Sequence, residues 1–175
     1  MPRDYGKALE WYEKAAAQGH TGAQFNLAIM YFMGKGVPQD YAEAKKWYEK
    51  AAAQGDTKAQ CNLAGMYLEG KGIPQDYAEA RKWYEKAAAQ GNTKAQCNLG
   101  TMYAEGEGVP QDYGKALEWF EKAAAQGNAY AQCNLGMMYA EGEGVPQDYD
   151  KARKWLKKAA AQGDSEAQSF LDEMK

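Results

Sequence analysis

The chain has 175 residues, a net charge of -3 and a pI near 5.3. It lacks the basic stripe that neutralising phosphates requires, so no nucleic-acid partner is expected. No apolar run is long enough to cross a bilayer, so no membrane partner is expected, and Met1-Pro2-Arg3-Asp4 leads into the first repeat without a signal-peptide pattern.

The chain repeats itself at an interval of 36 residues. Pro38-Gln39-Asp40-Tyr41 recurs from Pro74, Pro110 and Pro146, and Trp11, Trp47, Trp83, Trp119 and Trp155 keep the same spacing. Leu27, Leu63, Leu99, Leu135 and Leu171 follow it too. Segments 38–73 and 74–109 differ at only seven of 36 positions. A fixed period of this length predicts a solenoid, whose repeats each bury one face against a neighbour. The expected organisation is one domain over 1–175, with repeats near 2–37, 38–73, 74–109, 110–145 and 146–175.

Within 38–73, Asp40 followed by Glu43 has the order of a capping box, and a helix is predicted from Tyr41 to Gln54. Tyr41, Ala44, Trp47, Tyr48, Ala51 and Ala52 share one face at helical spacing. Gly55 ends that helix and Asp56 caps the next, predicted from Thr57 to Glu69. His20 takes the cap place in the first repeat, where it caps or faces solvent. Ala59, Leu63, Met66 and Tyr67 form the second core stripe, and Gly70 and Gly72 stop the helix. Short loops favour antiparallel pairs. The fold class is therefore all-α, with five helix pairs in two layers and the recurring aromatics and methionines as packing residues.

Cys61, Cys97 and Cys133 occupy one repeat position. Neighbouring helices lie about 8–10 Å apart, beyond the roughly 7 Å that a disulfide tolerates. The cysteines are expected to be thiols outside any disulfide, which favours a cytoplasmic or otherwise reducing setting.

The pattern from Ala59-Gln60 through Asn62-Leu63, Met66-Tyr67, Gly70, Gly72, Pro74-Gln75-Asp76-Tyr77 and Trp83-Tyr84 to Gln90-Gly91 resembles the Sel1-like repeat, a relative of the tetratricopeptide repeat. The resemblance covers nearly the whole chain. It implies a right-handed α/α superhelix acting as an adaptor for proteins or peptides. Secreted members of that family carry paired cysteines in each repeat; this chain has one. The near-identity of the copies fits recent duplication or a consensus-type engineered array.

Disagreements between copies cluster on the second helix at 58, 61, 65, 68 and 69 and their equivalents. At ~100° per residue these share a face opposite the core stripe. By analogy with the tetratricopeptide architecture, that face is expected to line a concave groove. Its residues are Phe25, Ile29, Phe32 and Met33 in the first repeat, then Lys58, Cys61 and Leu68, then Lys94, Cys97 and Thr101, then Tyr130, Cys133 and Met137. Asn26, Asn62, Asn98 and Asn134 border it, and an amide can both donate to and accept from a peptide backbone. The competing readings are packing of the Phe25–Met33 cluster between neighbouring helices, and bonding of the asparagines within the stack. Gln60 and its copies are assigned to inter-repeat or loop bonding.

An enzyme is not expected. The chain has one histidine and two serines, both serines in the last repeat, and no nucleophile–base–carboxylate set assembles from recurring residues. No metal-ligand spacing or phosphate-cradling glycine motif follows a strand, so no cofactor is expected. The glutamates at 105, 107, 141 and 143 belong to solvated loops. Leu156 and Lys157 depart from the repeat and mark a modified end cap. The sequence thus points to a groove that binds a peptide or protein segment. The alternatives are a ligand-free scaffold that weakly self-associates through its apolar first repeat, and a thiol-based redox or metal protein.

Overall fold

The computed structural model describes residues 5–174. Ten helices follow in order: α1 (Tyr5–Ala17), α2 (Thr21–Met33), α3 (Tyr41–Ala53), α4 (Thr57–Glu69), α5 (Tyr77–Ala89), α6 (Thr93–Glu105), α7 (Tyr113–Ala125), α8 (Ala129–Glu141), α9 (Tyr149–Ala160) and α10 (Ser165–Glu173). Their bounds match the predicted pairs to within a residue. The caps explain why. Asp40 Oδ1 accepts from the backbone N–H groups of Ala42 and Glu43, while Asp56 and Asn128 accept from Ala59 and Ala131. His20 also caps: its Nδ1 accepts from Ala23 N at 3.3 Å. Gly70 closes α4 in the left-handed region at φ 63, where its N–H reaches Met66 O, a conformation costly for a residue with Cβ.

The Pro-Gln-Asp-Tyr signature is a helix-to-helix connector. Asp40 N donates to Tyr31 O at 2.9 Å, and Gln39 Nε2 donates to Phe32 O at 2.8 Å. Asp112 and Gln111 bind Tyr103 O and Ala104 O in the same way. Carbonyls left over at the end of each second helix thereby gain donors. Gly72, at φ 72, leaves room for the tyrosine of the signature: a Cβ there would stand 2.1 Å from Tyr41 Cβ.

The helices form two compact units, one ending at Asn92 and the other beginning at Thr93. In the first, α2 packs between α1 and α3, and α4 between α3 and α5. Both second helices engage the following first helix more extensively than their own partner. Ala28, Ala44, Tyr48, Ala51, Ala52, Ala59, Leu63 and Met66 make one continuous core. In the second unit, α8 packs against α7 and α9, and the core joins Cys97, Ala116, Phe120, Ala123, Ala131, Leu135 and Met138. A fully buried leucine such as Leu63 contributes about 1.5–3 kcal/mol. Alanine lines most of the remaining contacts, so the helices approach closely and each side chain buries little.

The tryptophans are less interior than expected. Trp47, Trp83, Trp119 and Trp155 are half-buried, with the ammonium of Lys50, Lys86, Lys122 and Lys158 3.8–4.2 Å from the ring centre. Trp-x-x-Lys places the two side chains on one helix face, a geometry suited to cation–π attraction. Trp11 is 72% exposed.

Candidate peptide-binding surface

Within the two units, α2, α4 and α8 each have a first helix on both sides, and α6 has α7 against it, which divides the predicted stripe. Cys61, Cys97 and Cys133 are 4%, 5% and 1% exposed. This corrects their placement on an open groove. A helical wheel drawn for one repeat counts only the partner within that repeat, whereas the following first helix covers the cysteine. Cys97 packs with Ala116 and Phe120, and Cys133 with Leu156 and Ala159. Burial pushes the Cys133 thiol up to about 12, reinforced by the charges of Asp164 and Glu166. It stays protonated at neutral pH, which removes support from thiol chemistry there. Among the described residues no group of three or more His, Cys, Asp or Glu is arranged to hold a metal ion. No helix among them is long and apolar enough to cross a membrane.

The apolar cluster of the first repeat is also largely occupied. Phe25 lies 6.0 Å from the Tyr48 ring and Phe32 5.2 Å from the Tyr41 ring, with Lys71 Nζ 5.2 Å from the Phe32 centroid. Phe25, Ile29 and Phe32 are half-buried against α3, so the packing alternative describes them better than an open patch does. Met33 remains 53% exposed.

The rest of the stripe stays accessible. In the first unit Lys58 is exposed, and Asn62 and Leu68 are half-buried. Asn62 Nδ2 donates to Tyr48 OH at 3.2 Å. In the second unit Lys94 is exposed, Asn98 and Thr101 are half-buried, and all three share one face of α6 at i, i+4 and i+7. Tyr130, Asn134 and Met137 repeat that arrangement on α8. Tyr130 is 46% exposed yet held from two sides. Its hydroxyl lies 3.2 Å from Thr101 Oγ1, and its ring meets Phe120 edge-on at 6.3 Å. Asn134 Nδ2 turns back to Tyr130 O at 2.9 Å. Asn26 lines a cleft of about 470 Å³ beside Tyr5, Ala8 and Tyr12.

One recurring network was readable only in outline. Gln24, Gln60 and Gln132 are about 5% exposed, and the amide of each donates to a carbonyl of its own first helix: Ala16, Ala52 and Ala124. Each also accepts from a glutamine of the next repeat, Gln54, Gln90 and Gln162, at 2.6–2.9 Å. The Ala-Gln and Ala-Ala-x-Gln-Gly sequences carry the two halves of this ladder.

The Sel1 repeat matches residues 1–20, 21–56, 57–92, 93–128 and 129–164. The chain belongs to the Sel1 repeat family. The fold is accordingly an α-solenoid of helix-turn-helix repeats, in a family whose members generally mediate protein interactions and are generally non-catalytic. A protective antigen of uropathogenic Escherichia coli is 45% identical with a TM-score of 0.96; the match covers 98% of this chain and 37% of that one. A Sel1 repeat protein of Oxalobacter formigenes is 40% identical with a TM-score of 0.90, covering 97% and 69%. An immunity protein of Pseudomonas aeruginosa is 29% identical with a TM-score of 0.61, covering 95% and 62%. The chain thus spans little more than a third of the first of these. No curated protein matches it.

Proposed function

We infer that the chain is a non-enzymatic adaptor that binds a peptide or protein segment along its second helices. Tyr130 carries this reading. It is an exposed aromatic at a position where the repeats differ, pinned by Thr101 and Phe120 before any ligand arrives. Rigid tyrosines supply contact area at little entropic cost, and such anchors dominate interfaces. Lys94 and Asn98 on α6, and Lys58 and Asn62 on α4, offer an ammonium and an amide at one helical turn's spacing. They suit a ligand with a carboxylate and an extended backbone. The immunity proteins among the structural relatives agree with a binding role. A cytoplasmic setting belongs to the same proposal and rests on three buried cysteines outside any disulfide.

The test is a peptide-array screen with the purified chain, followed by titration of the hits. Tyr130→Ala and Lys94→Glu are expected to weaken binding at least about tenfold, roughly 1.4 kcal/mol, with unchanged circular dichroism. Hits that bind both variants as tightly as the parent exclude this surface. Phe32→Ala is a poor probe, because it removes packing against Tyr41 and Tyr48.

A further inference from the structure

One position of the first helices reads Tyr12, Tyr48, Tyr84, Phe120 and Leu156. An asparagine follows each of the first four on the next second helix: Asn26, Asn62, Asn98 and Asn134. In the first unit the pair of Tyr48 and Asn62 is closed. Tyr48 is buried, and its hydroxyl accepts from Asn62 Nδ2 at 3.2 Å in a part-buried bond. The Tyr84 hydroxyl likewise comes up beside a second helix, 3.6 Å from where a Cβ on Gly65 of α4 would stand. A phenol oxygen at this position thus emerges next to the accessible face of the second helices, and in the first unit it occupies the asparagine.

In the second unit Phe120 keeps the ring and lacks the oxygen. It is 1% exposed and set into the space beside Gly100. With no phenol to meet, Asn134 Nδ2 turns to Tyr130 O on its own helix, at 2.9 Å and in an exposed bond. That carbonyl already serves the helix ladder at i−4, so the side-chain bond is a local one that exchanges easily for another partner. Among the described residues the Asn134 side chain makes no other hydrogen bond. Its Oδ1 and second N–H therefore offer one acceptor and one donor, which the alternating N–H and C=O groups of an extended peptide match.

The neighbours of Asn134 on α8 suit the same occupant. Tyr130 at i−4 and Met137 at i+3 lie on the same face. Tyr130 is 46% exposed and Met137 half-buried. An amide with an aromatic ring one turn before it and a thioether one turn after it fits a backbone unit flanked by apolar side chains. The combination belongs to α8: at the places of Tyr130 and Met137, α4 has Lys58 and Gly65, and α6 has Lys94 and Thr101.

We propose that Phe120 is a specificity-determining residue. By withholding the hydroxyl that holds Asn62 in the first unit, it leaves Asn134 to pair with the backbone of an extended peptide whose apolar side chains lie on Tyr130 and Met137. This rests on the binding of a peptide along the second helices, and it adds which amide reads the backbone, what frees that amide and which side chains are preferred.

The probe is a phage-displayed library of random dodecapeptides selected on the full chain, with the tightest peptide resynthesised for titration. Phe120→Tyr is expected to lower its affinity about tenfold, and Asn134→Ala by a similar factor. In an Asn134→Ala background Phe120→Tyr should have no further effect, because the new hydroxyl has no amide to capture. N-methylation of the peptide at each backbone position in turn should find one N–H whose loss weakens binding to the parent and not to Asn134→Ala. Gly100→Ala combined with Phe120→Tyr recreates the native pairing of Ala28 with Tyr48, and covers the case in which Phe120→Tyr alone misfolds. A peptide that needs Tyr130 yet binds the folded Phe120→Tyr variants as tightly as the parent overturns the role of Phe120 and leaves the binding surface standing. Losses that add in the double variant overturn the action of Phe120 through Asn134. Selection of no peptide, or only of peptides indifferent to Tyr130→Ala, overturns the binding surface and this inference with it.

Discussion

The ring of Phe120 occupies the space that a side chain on Gly100 would need: a Cβ built on Gly100 would stand 2.6 Å from Phe120 Cε1. Phe120 is 1% exposed and cannot swing away. Gly136 faces Leu156 in the same manner, at 2.5 Å from Cγ. The first two repeats have alanine at this position and tyrosine opposite; the next two have glycine with phenylalanine or leucine. Gly100→Ala should therefore destabilise the second unit by about 1–3 kcal/mol through overpacking, despite the better helix propensity of alanine. Urea denaturation measures this, and adding Phe120→Ala should relieve part of the loss in a double-mutant cycle. Additive effects would refute the steric account.

Tyr48 gives the first unit a sensitivity to alkali. Burial pushes its phenol up to about 12 from an ordinary 10.0, with the Asn62 hydrogen bond acting weakly in the other direction. A group whose folded value is raised contributes stability that is complete below the unfolded value and lost as pH rises toward the folded one. The window is thus pH 10 to about 12, and the amount about 3 kcal/mol. Thermal unfolding followed across that window should show a loss of melting temperature that Tyr48→Phe reduces. An identical pH profile in the variant would place the sensitivity elsewhere.

Helix bounds were legible because their signals are local. Asp56 before Thr57 and Gly70 after Glu69 act within one turn, and α4 runs between them as the residues dictate. Burial across repeats was not legible in the same way. Cys61 and Leu63 sit two residues apart, and a wheel for one repeat assigns them to opposite faces; both are buried because α4 has two neighbours. Trp11 and Trp47 are the same residue in the same motif, yet one is 72% exposed and the other half-buried, a difference created by what stands in front of each. Of the candidate surface, Lys94 and Tyr130 were readable from variation between copies. The link from Thr101 to Tyr130 joins two repeats and has no local signature.

The glutamine ladder couples neighbouring repeats. Gln60 is 4% exposed, donates to Ala52 O at 3.1 Å and accepts from Gln90 Nε2 at 2.9 Å. Gln60→Leu keeps the volume and removes both bonds, while Ala52 O still accepts from the Gly55 N–H and Gln90 Nε2 still reaches Lys86 O, so the cost is about 0.5–1.5 kcal/mol. Gln90→Leu should cost more, about 1–3 kcal/mol, because it leaves the buried Gln60 Oε1 without its donor. Guanidinium or urea titrations of both variants decide the order. A smaller loss for Gln90→Leu would argue that the bond to Ala52, and not the contact between the glutamines, sets the energy.

Cys133 should react as a core residue. It is 1% exposed, packed with Leu156, Ala159 and Ala167, and its thiol is pushed up to about 12 from an ordinary 9.0, by burial first and then by Asp164 and Glu166. Alkylation requires both access and the thiolate. At pH 8 the native chain should be labelled at Cys133 roughly a hundredfold or more slower than the urea-unfolded chain. Peptide mapping after timed exposure to iodoacetamide reads the rate at this one position. Glu166→Gln removes one of the charges without touching the covering side chains, so it should accelerate labelling only slightly, whereas Leu156→Ala should accelerate it strongly by opening a cavity. If the two variants reversed that order, electrostatics and not packing would be what protects the thiol.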